Sequence, residues 1–257
     1  MKKIILSTVS YIALTGAAMA ADINGEVSVD VTKNSAGDYV ATPEIDLAII
    51  GSTSSVAVAF TEDNGNLTLD GYSIATNIGF TTVSFGDQGD VFEAFEGGLE
   101  TVGGLTLADP DDERESITIA RGGAALSIGL TDIATNVSDV ENVQASYAFE
   151  NLGVALGVDY NLDTDDYVIG SMADRTYGQF GVGAITTYSS ATETFGYELS
   201  ASLGGVKGFV DGDDSDAIQN VGAGYTGTYQ TMSYYAEAAY NIDDEVLTPA
   251  IGVAFAF

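Results

Sequence analysis

The last segment of the chain, Leu247 to Phe257, alternates between two kinds of side chain without a break. One parity carries the large apolar residues and the other carries small ones, which are Thr248, Ala250, Gly252, Ala254 and Ala256. Successive side chains of a β-strand point to opposite faces, so the segment predicts a strand with one apolar face and one face of small residues. An apolar edge strand left open in water aggregates, whereas a closed barrel in a bilayer pairs every edge. The terminal strand therefore favours a transmembrane β-barrel.

Residues 1–20 have the pattern of a secretory signal. Lys2 and Lys3 give a positive start, Ile4 to Leu14 is apolar, and Ala18-Met19-Ala20 matches the small-x-small cleavage motif. The apolar run is shorter than the roughly 20 residues that a transmembrane helix needs. We expect cleavage after Ala20, which leaves residues 21–257 as one exported barrel domain.

The composition excludes several classes of function. The chain has 38 acidic and 7 basic residues and a formal net charge of −31, so it lacks the basic surface that nucleic-acid binding requires. Histidine and cysteine are both absent, which excludes imidazole and thiolate metal sites and the nucleophilic triads that use these residues. The hydrophobic content of 46% is too high for an acidic disordered chain.

Sixteen alternating runs follow one another between Asp22 and Phe257, which predicts an all-β, antiparallel up-and-down barrel. An even number of strands returns both ends of the barrel to the periplasmic side of an outer membrane. Short turns such as 122–123 and 204–205 alternate with longer acidic connections such as 132–141, as in outer-membrane barrels. Fourteen strands are the alternative, because residues 77–80 separate the fourth and fifth runs only weakly.

The second face of the runs distinguishes a membrane barrel from a soluble one. Carboxylates alternate with apolar residues at positions that would form the dry core of a soluble barrel, where burial is costly. In a water-filled lumen the same carboxylates are solvated, attract cations and repel anions. The lumen-parity carboxylates are Glu26, Asp30, Glu44, Asp46, Asp70, Asp159, Glu198 and Glu237. Tyrosines and phenylalanines gather near the ends of the runs, as in aromatic girdles, although ordinary β-propensity is an alternative explanation.

The longest connection, residues 87–115, does not alternate. Loops of this length are usually functional or disordered. This one is acidic but also carries apolar residues, among them Phe92, Phe95 and Leu99, which is more apolar surface than a solvated loop needs. We expect it to pack against the inner wall of the barrel.

With Phe85-Gly86-Asp87 at the end of the fifth run, just before this loop, the chain resembles the general bacterial porins, especially those of the alphaproteobacterial Rhodobacter type. The signal, the loop start and the terminal aromatic carry the resemblance. It implies a sixteen-stranded barrel in the outer membrane, usually a homotrimer, whose third external loop folds into the lumen and narrows it. It also implies passive diffusion of small hydrophilic solutes and cations. Phe255 and Phe257 would then be the signal that the barrel-assembly machinery recognises.

The resemblance implies roles for particular residues. Asp87, Asp90, Glu93, Glu96 and Glu100 would form the acidic edge of the constriction. The family usually sets a basic cluster opposite this edge, and here the candidate is Arg114, which has the parity of Ser116 and Thr118. Arg121 instead has the lipid-facing parity, so we expect a one-sided negative potential in place of the family's transverse field.

Three alternatives stay open. Asp111-Asp112-Glu113 offers paired carboxylates for acid–base chemistry, but without a nucleophile motif we expect no enzyme and no cofactor. The segment Asp211-Gly212-Asp213-Asp214-Ser215-Asp216 offers oxygen ligands for weak Ca²⁺ or Mg²⁺ binding, although Asp216 stands where an EF-hand requires glycine. The third alternative is a non-conducting barrel that serves as an adhesin or envelope scaffold, with its lumen plugged by bulky side chains.

Overall fold

The computed structural model describes residues 22–33, 39–63, 66–87, 95, 99, 115–130 and 140–257, and the predicted signal at residues 1–20 lies outside them. The described residues form sixteen antiparallel strands, with one short 3-10 helix at Glu150–Leu152. The strands are β1 Asp22–Lys33, β2 Tyr39–Ile50, β3 Ser54–Asp63, β4 Asn66–Ile78, β5 Thr81–Asp87, β6 Glu115–Arg121, β7 Ala124–Leu130, β8 Val140–Phe149, β9 Val154–Asn161, β10 Tyr167–Tyr177, β11 Phe180–Ser189, β12 Thr194–Leu203, β13 Val206–Asp213, β14 Asn220–Tyr229, β15 Met232–Asn241 and β16 Val246–Ala256.

Each strand pairs with its neighbours in sequence, and β1 pairs with β16, so the sheet closes into an up-and-down barrel. The prediction of sixteen strands is confirmed against the alternative of fourteen. A tight turn at Gly79 and Phe80, with Gly79 at φ 65°, separates β4 from β5. The described part of the chain contains no helix that is both long and apolar enough to cross a membrane.

The barrel closes through the end of the chain. The β1–β16 register runs from Glu26 opposite Ala256 to Thr32 opposite Ala250. Beyond β16 the ladder continues for one more residue, because Gly25 N–H donates to the Phe257 carbonyl at 3.1 Å and Phe257 N–H donates to the Gly25 carbonyl at 2.9 Å. The Phe257 ring lies over Gly25, in space that a Cβ at residue 25 would occupy. Glycine at position 25 therefore lets the terminal aromatic complete the seam.

The two faces of the sheet differ as the alternation predicted. Val27 and Val29 pair with Phe255 and Val253 on the outer face, and many apolar side chains of this face are exposed, with Leu199 at 52%. A belt of exposed apolar side chains around a closed barrel is the surface that lipid covers. The inner face carries the carboxylates, the small residues and most of the buried polar side chains.

The connections differ between the two ends of the barrel. Seven tight connections, all among the described residues, lie at one end, which we call the short-turn end, and one of them is Gly122-Gly123 with φ of 55° and 82°. Positive φ at both central residues is the type I′ geometry that matches the twist of paired strands. The longer connections, including residues 88–114, leave from the opposite end, which we call the loop end.

Candidate pore and constriction

The inner face of β1 and β2 carries four carboxylates close together. Glu26 lies directly opposite Asp46, Glu44 lies opposite Ser28, and Asp30 lies opposite Thr42. All four carboxylates are half-buried. Like charges directly opposite one another on a sheet repel. Such an arrangement is less costly where the carboxylates are hydrated than where they are fully buried.

A fifth inner-facing carboxylate, Asp159 on β9, is held by amide side chains of β8. Asn142 Nδ2 donates to the two Asp159 carboxylate oxygens at 3.1 and 3.3 Å, and Gln144 Nε2 donates to Oδ2 at 3.3 Å. Asn142 and Gln144 are themselves buried. These neutral donors fix the position of the carboxylate and bring no charge of their own.

Glu198 on β12 faces Asp211 on β13, and the two carboxylates are almost fully covered, with exposed fractions of 1% and 2%. Asp211 Oδ1 accepts hydrogen bonds from Asn220 Nδ2 at 2.9 Å and Asn220 N–H at 3.2 Å. The sequence pattern assigned Asp211 to an external acidic loop. In the structure β13 continues to Asp213, because residues 211–213 find partners in β12, so Asp211 is an inner-wall residue.

The segment proposed to bind Ca²⁺ or Mg²⁺ is thus part strand and part loop. Both carboxylate oxygens of Asp213 accept hydrogen bonds inside the loop: Oδ1 from the Ser215 and Asp216 N–H groups at 2.7 and 2.8 Å, and Oδ2 from Gln219 Nε2 at 2.7 Å. Among the described residues no group of three or more acidic side chains is arranged to hold a metal ion. Weak divalent binding by the external loops stays a prediction.

Lys207 on β13 is an inner-wall cation that the sequence reasoning missed. It pairs with Ser202 and Gly224, and Gly224 in turn pairs with Glu237 of β15, which is 7% exposed. Among the lysines and arginines that the structure describes, Lys207 alone has inner-face parity. Lys207 shares its parity with Phe209, and this was visible in the sequence. Because Lys207 lies close to a turn, the alternation was too short to assign its face.

Two residues of the long loop contact the inner wall on one side of the barrel. Phe95 is fully buried and packs against Ala155, Val168, Met172 and Ile185, which lie on the inner face of β9, β10 and β11. Leu99 packs against a second inner-face cluster, which is formed by Phe209, Tyr235, Ala239 and Ala250 on β13, β15 and β16. A Cβ at Gly224 would lie 3.3 Å from Leu99 Cδ1, so this glycine forms the floor beneath the leucine.

The wall formed by β1 to β4 carries open space instead. A groove of about 390 Å³ runs along its inner face. Glu26 and Asp46 lie at the groove, and its other inner-face residues are small or polar: Asn24, Ala48, Ala57, Ala59, Gly71 and Ser73. The short side chains of β3 and β4 leave this space open, whereas Phe209, Tyr235 and the two loop residues pack on the inner face between β9 and β16.

Of the residues predicted to form the constriction, the structure describes only one. Asp90, Glu93, Glu96, Glu100 and Arg114 lie outside the described residues. Asp87 is the last residue of β5 and pairs with Glu115, at a position with the parity of Phe85. Its assignment to the constriction stays a prediction.

For two further residues, Asp70 and Arg121, the strand pairing can be compared with the predicted face. Asp70 is the extra residue of a β-bulge, because Ala59 pairs with Gly71 and Phe60 pairs with Leu69, and its side chain lies outside the described part. Arg121 pairs with Ala124 at the short-turn end and has the outer-face parity of Ile117 and Ile119, as predicted.

The comparisons with known proteins identify similar folds. No family model matches the chain, and no curated protein sequence matches it either. Among solved structures, a mutant of the porin of Rh. blastica is 16% identical with a TM-score of 0.65 over 92% of this chain and 100% of that one. A loop-deletion mutant of OmpT, an outer membrane protein of Vibrio cholerae, is 13% identical with a TM-score of 0.65 over 93% of this chain and 99% of that one. The chain therefore has the fold of these outer-membrane porins, a closed antiparallel barrel of sixteen strands.

Proposed function

We propose that the protein is an outer-membrane porin, a water-filled channel through which small hydrophilic solutes diffuse passively and cations pass more readily than anions. The observation that carries this proposal is the inner wall, where half-buried carboxylates line open space while the outer face is apolar. Acidic side chains at the wall of a narrow aqueous path raise the local concentration of cations and repel anions. Size exclusion and this potential are the whole mechanism, and no chemical step is needed.

We further propose that residues 87–115 form the third external loop and fold into the lumen as its constriction. The contacts of Phe95 and Leu99 with inner-face clusters support this proposal. A loop held at two points against the wall narrows the path without closing it. The carboxylates of Asp90, Glu93 and Glu96 would then border the narrowest section.

A liposome-swelling assay tests the channel against its alternative, a non-conducting barrel that acts as an adhesin or scaffold. Phe209 and Tyr235 are bulky inner-wall residues of the kind that a plugged lumen requires. Proteoliposomes that contain the purified protein should swell in small sugars and stop swelling as the sugar grows larger. No swelling with any sugar, from a protein with the spectrum of a folded barrel, would favour the scaffold.

Neutralising the loop acids tests their place at the constriction. Replacing Asp90, Glu93 and Glu96 with Asn, Gln and Gln should lower the preference for cations, because a passing ion loses three nearby charges. Reversal potentials in planar bilayers under a salt gradient measure the effect. The control replaces the external Asp214, Asp216 and Asp243 in the same way and should leave the potential nearly unchanged. Equal effects from the two triples would place the loop acids away from the path.

We propose from the resemblance that the barrel is a homotrimer and that Phe255 and Phe257 form its assembly signal. Deleting Phe257 should lower the amount of barrel inserted in the membrane more than it lowers the conductance of each inserted channel, because the terminal pairing with Gly25 is lost. Membrane fractions resolved on unheated gels give both the amount and the oligomeric state. The deletion is compared with Gly25→Ala, which displaces the Phe257 ring but keeps the terminal residue.

Comparing these two variants distinguishes recognition of the terminal aromatic by the assembly machinery from stabilisation of the pairing between β1 and the chain end. Gly208→Ala serves as the control for Gly25→Ala, because its new Cβ would meet nothing closer than the Gly222 carbonyl oxygen at 3.5 Å. If deletion of Phe257 and Gly25→Ala lower insertion equally, the terminal residue acts through the seam alone and the assembly-signal proposal fails.

A further inference from the structure

We infer that the permeation path is off-centre and runs along the β1–β4 wall, and that Glu26 and Asp46 contribute to its cation preference while the buried carboxylates of β12, β13 and β15 do not. This inference rests on the proposed channel function and deepens it. It divides the inner-face carboxylates, which share one parity in the sequence, into a set that meets passing ions and a set that does not.

The first step is the position of the loop. Phe95 packs on the β9–β11 wall and Leu99 packs on the β13–β16 wall. Strand order places the β9–β11 wall opposite β1 to β4, whereas the β13–β16 wall ends beside β1. Phe95, which is fully buried, and Leu99, which is half-buried, therefore both contact the wall on the β9–β16 side of the lumen.

The second step is the open space on the other side. The groove of about 390 Å³ follows the inner face of β1 to β4, and Ala48, Ala57, Gly71 and Ser73 form much of its surface. None of these side chains is long enough to cross the lumen. Glu26 and Asp46, which face each other across β1 and β2, are the acidic residues at this groove.

The third step is exposure. Glu26 and Asp46 are half-buried, so water reaches both carboxylates. Glu198, Asp211 and Glu237 are 1%, 2% and 7% exposed, so a hydrated ion cannot come close to them.

The fourth step is charge balance. Lys207 lies in the same row as Glu237, with Gly224 between them, so the β13–β15 wall carries a positive charge among its carboxylates. Of the lysines and arginines that the structure describes, none has inner-face parity on β1 to β4. Within the described residues, the groove carboxylates thus lack the inner-face lysine that the β13–β15 wall carries.

Two pairs of isosteric substitutions test the inference in planar bilayers under a salt gradient. Glu26→Gln with Asp46→Asn should lower the cation-to-anion permeability ratio at least about threefold, because an ion that passes within a Debye length of the groove loses two attractive charges. Glu198→Gln with Asp211→Asn replaces the same number of carboxylates and should leave the ratio nearly unchanged. A larger effect from the buried pair than from the groove pair would overturn the inference.

Cysteine accessibility keeps the inference testable if the buried pair of substitutions prevents folding. The chain has no cysteine, so single cysteines can be placed on the inner wall without background. Ser73→Cys in the groove should react with a charged methanethiosulfonate reagent and change the current, whereas Ala155→Cys, covered by Phe95, should not. Reaction at Ala155→Cys with no reaction at Ser73→Cys would place the path on the opposite side.

The experiment separates failure of the inference from failure of the proposed function. An unmodified protein that inserts but carries no current contradicts the channel itself. An unmodified protein that conducts, with a permeability ratio that Glu26→Gln and Asp46→Asn leave unchanged, contradicts the inference alone.

Discussion

Replacing Phe95 with alanine is expected to release the third loop from the wall and raise the single-channel conductance. The Phe95 side chain is fully buried against Ala155, Val168, Met172 and Ile185, so its removal leaves a cavity in an apolar contact. Deleting a buried phenylalanine costs about 3–5 kcal/mol, which is large compared with the free energies at which loops open locally. The loop should then sample positions away from the wall. Single-channel recording measures the change as a larger and noisier current.

Phe195→Ala is the matched control for this substitution. Phe195 carries the same side chain, but on the outer face of β12, where it is 44% exposed. Its removal should change neither the mean conductance nor the noise. A Phe95→Ala channel that is as quiet and as narrow as the unmodified one would show that the loop holds its position without this anchor.

Replacing Gly86 with alanine is expected to prevent the barrel from folding or to weaken it severely. Gly86 has a φ of 129°, a backbone angle that residues other than glycine rarely adopt. The Cβ of an alanine at this position would overlap the Tyr72 carbonyl oxygen and lie 3.0 Å from Ser73 Cα. The colliding atoms belong to the backbone of β4, so no side-chain movement relieves the contact. Backbone strain and overpacking together cost about 2–6 kcal/mol. Urea titration of the barrel in detergent, or its heat resistance on gels, measures the loss.

Gly79→Ala distinguishes crowding from backbone conformation. Gly79 also has positive φ, at 65°, but a Cβ added at this residue would have no atom within 4 Å. A residue with a side chain in the left-handed region costs roughly 1–2 kcal/mol, so this variant should fold with a modest loss of stability. If Gly79→Ala and Gly86→Ala are equally stable, close approach to β4 is not what requires glycine at residue 86.

Gly86 also gives a physical reason for a motif that sequence reasoning used only as a likeness. In the sequence, Phe85-Gly86-Asp87 marks the start of the long loop. In the structure Phe85 packs near Tyr72, with ring centroids 6.2 Å apart, and Gly86 brings β5 against β4 just before the chain leaves the sheet. The motif therefore ends a strand in a way that only glycine permits.

The strands were predictable because alternation has a period of two and both faces of a membrane barrel enforce it. The end of β13 was not. Asp211 and Asp213 lie in an acidic run that is typical of a loop, and the partners that keep them in the sheet, on β12 and β14, are distant in sequence. Local composition favoured a loop at residues 211–213, whereas pairing with distant strands favoured a strand, and the structure has the strand.

The side of each inner carboxylate was predictable from parity, but its exposure was not. Glu26 and Glu198 have the same parity and the same chemistry in the sequence. Only Glu198 is almost completely covered, on the side of the barrel where Phe95 and Leu99 also pack. Which carboxylates meet the solvent depends on the side chains that pack over each of them, and alternation carries no information about that packing.

The most direct test of the proposed function is the reversal potential of the unmodified protein in a planar bilayer with a salt gradient. An acidic aqueous lumen predicts a stable current whose reversal potential has the sign of cation selectivity and moves toward zero as the salt concentration rises and screens the wall. An anion-selective potential, or a folded and inserted protein that carries no current, would contradict it.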